Sequence, residues 1–170
     1  RRSRVQFPSE AYYSLKMPNK EIEKQYNELR KKHKLPEFRD IDFEFELSDL
    51  EDTNFPLRAI MRRMAERLDF YTTMLEEVLQ PDTSNLYAMH EMRFFDDGEK
   101  SQMYVMYSKL MNLNRQSIEV SLERDEKNEA EFIGNAINEW KSIKAELLQF
   151  VKKMRPSWKA EEADIKEDLG

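Results

Sequence analysis

Four arginines, Arg58, Arg62, Arg63 and Arg67, follow one another at spacings of four, one and four. On a helix this spacing gathers guanidinium groups on one flank, and clustered guanidiniums match the oxygens of phosphate or carboxylate partners. Glu66 stands within a helical turn of Arg62 and Arg63, and Asp49, Glu51 and Asp52 are close in sequence. Intramolecular ion pairs therefore compete for the same arginines.

Catalytic chemistry has less to stand on. Di-metal carboxylate bundles need inward-facing Glu and Glu-x-x-His on paired helices, because two hard cations require bridging carboxylates and imidazoles. The two histidines are His33 and His90, and Tyr87 rather than a glutamate lies three residues before His90. His33 falls in a lysine-rich helix end, where a cation suits the helix dipole. Glu66 with Asp69, and Glu123 with Glu126, have the spacing by which some all-α pyrophosphohydrolases hold magnesium. The first pair, however, falls on the outer side of its helix, and the second sits at a helix end beside a turn. Phosphate loops, dinucleotide-binding glycines, HExxH and the nucleophile elbow are all missing. The absence of cysteine removes disulfides, thiolate metal sites and cysteine nucleophiles together. No cofactor or metal is expected.

The elements that must position these residues are helical. Only three glycines and six prolines in 170 residues argue against a turn-rich β fold, and 39% apolar with 36% charged residues suits a helical bundle. The clearest element runs from Pro56 to Gln80. Leu57, Met61, Met64, Leu68, Tyr71, Leu75 and Val78 alternate steps of four and three, an apolar seam that other helices must cover. Pro56 suits the first helical position, and Pro81 blocks continuation.

Before it, Asn19 can cap a helix from Lys20 to about Lys34, with Ile22, Tyr26 and Leu29 on one side. Residues Phe38 to Leu47 admit two readings. Ile41, Phe43, Phe45 and Leu47 alternate with acids, the period of a half-buried strand able to pair with another chain. The preferred reading is a short helix opened by Pro36, with Phe38, Ile41 and Phe45 on one face, fading into an extended arm near Phe45. After Pro81, Ser84 is expected to cap a short helix through Phe95.

Asp96 and Glu99 form a capping-box start for a long helix. Its seam is Met103, Met106, Leu110, Leu113, Ser117 and Val120, and Tyr104, Tyr107, Met111 and Ile118 widen it into a face that calls for neighbours on two sides. A tight connection over Glu123 to Asn128 leads to a last long helix. That helix carries Ile133, Ala136, Trp140, Ile143, Leu147, Phe150 and Met154, and is expected to stop at Pro156. The ten methionines mostly fall in or near seams, where flexible thioethers fill irregular cores or adapt a groove to a partner.

The expected fold is all-α, a left-handed up-down bundle of about four helices plus one short helix, occupying residues 17–156. Residues 1–16 carry Arg1, Arg2, Arg4 and Lys16 against Glu10, a net +3 that leaves −9 on the remainder of a chain of −6. They read as a leader or non-native extension, with a genuine basic arm as the alternative. Residues 157–170 read as a frayed, charged tail in which Trp158 folds back onto the bundle.

Net negative charge disfavours general binding to nucleic acid or anionic membranes. The functional expectation is a non-enzymatic cytoplasmic protein that binds another protein or itself. Its contact surface would be the Arg58, Arg62, Arg63 and Arg67 flank or the Ile41, Phe43, Phe45 and Leu47 arm. A nucleic-acid-associated factor using the arginine flank is the alternative, and a metal-dependent or small-molecule enzyme with a site in the bundle core is the second.

Overall fold

The computed structural model describes residues 20–168, with side chains to 159. The expected leader over residues 1–16 and the Asn19 cap lie outside the described residues. Six helices follow in order: α1 (Lys20–His33), α2 (Phe38–Phe45), α3 (Pro56–Leu79), α4 (Leu86–Met92), α5 (Asp97–Glu123) and α6 (Glu126–Asp168). The described residues contain no strand.

The α3 seam is the centre of the core. Leu57, Met61, Met64, Leu68, Leu75 and Val78 are buried, joined by Ile60 and Thr72, while Tyr71 is half-buried. Pro56 occupies the first turn, where its missing N–H costs nothing, and the helix closes at Gln80 just before Pro81. Opposite α3 lies α5, whose seam residues Met103, Met106, Leu110, Leu113, Ser117 and Val120 are all buried. Its start is the capping box: Glu99 N donates to Asp96 Oδ1 at 2.8 Å, and Asp96 N donates to Glu99 Oε2 at 3.0 Å.

Between α5 and α6 stand two residues. Arg124 turns the chain in the left-handed conformation, with φ 56, and Asp125 accepts the Asn128 N–H at 3.0 Å to open α6. So short a connection forces the two helices to run back along each other. Lys109 with Glu139 at 3.8 Å, and Lys153 with Glu99 at 2.6 Å, tie them in antiparallel order. Along α3, Arg58 meets Glu129 and Tyr71 stacks on Trp140 at 4.8 Å, so α3 and α6 run parallel. It follows that α3 and α5 are antiparallel, and Asn114 Nδ2 to Asp69 Oδ1 at 2.9 Å sets their register.

Four expectations are corrected. The expected short helix forms over Phe38–Phe45 with Phe38, Ile41 and Phe45 buried, but no extended arm follows it. Glu46 takes a left-handed conformation with φ 53 and turns Leu47 back into the core, and Asp42 accepts the Ser48 N–H at 2.8 Å to close the bend. Asn85, not Ser84, caps α4, which ends at Met92 rather than Phe95. α5 does sit between α3 and α6 as expected, but Tyr104 and Ile118 of its widened face remain exposed.

The fourth concerns α6, which continues through Pro156 to Asp168. A helical proline gives up one backbone hydrogen bond and crowds the preceding turn. Local packing holds this segment in place. Ser157 is buried with its hydroxyl donating to Met154 O at 2.6 Å; Trp158 lies 4.3 Å from His90 and donates its indole N–H to Glu91 at 3.0 Å.

The core assignment predicts opposite outcomes for two leucines of one helix. Leu110 is fully buried and Leu122 is 79% exposed. Leu110→Ala should cost about 2 to 5 kcal/mol in denaturant unfolding, while Leu122→Ala should stay within about 0.5 kcal/mol.

Candidate interaction surface

The four arginines do not form one flank. With 3.6 residues per turn, Arg58 and Arg62 fall on one edge of the α3 seam and Arg63 and Arg67 on the other. Arg58 Nε donates to Glu129 Oε1 at 2.7 Å, and the Glu129 side chain is only 5% exposed. Arg67 pairs with Glu46. Both partners come from distant parts of the chain rather than from the nearby Glu66. Arg62 is exposed and Arg63 half-buried, and neither forms an ion pair among the described residues.

The second expected surface is largely internal. Ile41, Phe45 and Leu47 are buried at 1% exposure or less, spent on the chain's own core. Phe43 alone of the four remains exposed, with Lys144 Nζ 5.4 Å from its ring centre. The neighbouring Glu44 accepts from Trp140 Nε1 at 2.7 Å and from Lys144, which binds α2 to α6.

Three of the four acids in the sequence pairs are engaged in structural ties, and Glu66 is exposed. Asp69 holds Asn114, and Glu123 accepts from the Asn128 amide. Glu126 Oε1 accepts from Lys32 at 2.7 Å and lies 2.8 Å from His33 Nε2, joining the end of α1 to the start of α6. The Lys32 hydrogen bond, with that of His33, holds the Glu126 carboxyl below its usual range. Glu99 is likewise lowered, first by Lys153 and then by the Asp96 N–H. Burial pushes the Tyr26 phenol up, and its hydroxyl donates to Pro36 O at 2.9 Å. Among the described residues no group of three or more His, Asp or Glu is arranged to hold a metal ion, and no helix is long and apolar enough to cross a membrane.

What sequence reasoning misplaced is the outer side of α5. Tyr104, Tyr107, Met111, Ile118 and Leu122 form a second stripe, one residue out of step with the buried seam. Tyr104 is 61% exposed and Leu122 79%, while Tyr107 packs partly against the core. A shallow hollow of about 420 Å³ borders it, lined by Tyr104, Val105, Ser108, Lys109, Asn112 and Glu139. The signal was visible as two interleaved seams on one helix, a face wider than two neighbours can cover. No protein-family model matches this chain, and searches of curated proteins and of solved structures find no match.

Two measurements test these assignments. Arg58→Ala leaves the buried Glu129 carboxylate without its counter-charge and should cost about 2 to 4 kcal/mol, whereas Arg62→Ala should be near neutral. A carboxylate lowered in the folded state contributes stability above its ordinary range and loses it as pH falls through the lowered value. Denaturant midpoints should therefore fall on acidification below that range, and Glu126→Gln should flatten part of the fall.

Proposed function

We propose that this is a non-enzymatic helical-bundle protein that acts by protein association, receiving an amphipathic helix of its partner on the outer side of α5. The observation that carries this reading is the exposed stripe of Tyr104, Ile118 and Leu122 beside a seam that is already complete. Large apolar side chains left exposed along one helix face mark a site of interaction. Its heptad-like spacing suits a helix laid alongside. The same spacing in α3, α5 and α6 supports left-handed packing near 20° in an up-down bundle.

The nucleic-acid alternative is weaker. With Arg58 and Arg67 committed to Glu129 and Glu46, Arg62 and Arg63 remain on opposite edges of α3 against a net charge of −6. A core enzyme gains no support, because the core is lined mainly by apolar side chains, Asp69, Glu123 and Glu126 hold structural ties at the periphery, and Glu66 is exposed.

Immobilised wild-type protein should retain a protein from extracts of its source cells after nuclease treatment, and Ile118→Glu should lose it. Capture that disappears with nuclease, or that is equal for the variant, would overturn the reading.

A further inference from the structure

We infer that the helix received by this face is α5 of a second copy of the same chain, running antiparallel about a two-fold axis that passes between Met111 and Arg115. The inference rests on the protein-association reading and adds the identity of the occupant. A two-fold contact must be self-complementary, each patch meeting the same patch turned around.

The stripe satisfies this at its two ends, while Met111 meets the partner's Arg115 near the axis. Turning it about the Met111–Arg115 midpoint lays Tyr104 on the partner's Leu122, and Tyr107 beside the partner's Ile118. The exposed apolar ends thus cover each other, and the two helix dipoles oppose.

Charges on the adjoining side of α3 obey the same rotation. The Asp69–Asn114 contact sets the levels of the two antiparallel helices. Arg62, as far before Asp69 as Ser121 is after Asn114, stands level with Ser121. By the same register Glu76 stands level with Tyr107. The rotation therefore brings Arg62 to within about one helical turn of the partner's Glu76, and Arg115 to the partner's Asp69. Arg62 and Glu76 are exposed and form no ion pair among the described residues. They lie about 21 Å apart along one helix, too far to satisfy each other within a chain. A parallel arrangement would instead set Arg62 against its own copy and Asp69 against its own copy, which like charges oppose.

Sedimentation equilibrium over a concentration series tests the pairing. The wild type should approach a mass of about 41 kDa, twice the 20.5 kDa of one chain. Arg62→Glu or Glu76→Arg alone should weaken association by about tenfold or more, and the double exchange should restore it. All these positions are exposed, so circular dichroism should not change, and any fall in the thermal midpoint should disappear at concentrations low enough for the wild type to be monomeric. Because the chain lacks cysteine, an equimolar mixture of Tyr104→Cys and Leu122→Cys should give a mixed disulfide on oxidation in preference to either homodimer. A monomer at every concentration would overturn the inference; if nuclease-resistant capture sensitive to Ile118→Glu persisted, the broader reading would still stand. A dimer linked chiefly through Tyr104→Cys to itself would overturn the antiparallel arrangement.

Discussion

Burial of the α3 seam is the constraint on which the rest of the structure depends. α3 packs against each of the other five helices, so its apolar stripe is the one surface every element shares. Leu57, Met61, Met64, Leu68, Leu75 and Val78 leave water only when α5, α6 and the shorter helices close around them. Each such side chain contributes about 1.5 to 3 kcal/mol on burial, enough to outweigh the modest helix propensity of the isolated segments. Methionine at Met61, Met64, Met103 and Met106 fits this role, because an unbranched thioether fills gaps between helices that cross at an angle.

Apolar packing alone leaves helices free to slide, and polar ties at the edges remove that freedom. Trp140 is the clearest case. Its ring stacks on Tyr71 of α3 and lies 6.1 Å from Phe45 of α2, while its N–H goes to Glu44. One side chain of α6 thereby fixes the level of two other helices. Glu129 acts similarly near the far end of the core. A carboxylate so deeply placed is tolerated only where Arg58 meets it, so displacement of α3 along α6 would strand a charge. Such ties contribute little net stability, but they penalise alternative registers.

How much of this was legible from the chain follows from what each signal depends on. The α3 seam, Pro56 and the Asp96–Glu99 box are local patterns, and the structure reproduces them with Tyr71 alone of the seam left half-buried. The fate of the arginines was not local: Glu46 and Glu129 are remote from Arg67 and Arg58, and only the fold brings them together. The end of α2 turns on Glu46 adopting a conformation that non-glycine residues rarely take, which no propensity announces. Pro156 alone signals a helix end, whereas Trp158 and Ser157 supply contacts that carry the helix past it. The α5 stripe was misjudged because width of an apolar face states how much cover is needed, not how much the chain contains.

The tie between α1 and α6 also orders assembly. Lys32 and His33 reach Glu126 across 94 and 93 residues of chain, whereas α5 and α6 meet across a two-residue turn. Closing the longer loop costs more entropy and is repaid only after the partner surface exists. The α5–α6 hairpin and its contact with α3 can thus form first, and α1 docks on a finished platform. Its buried anchors are Ile22 and Tyr26, few beside those of α3, so α1 is released at lower cost than the long helices of the core.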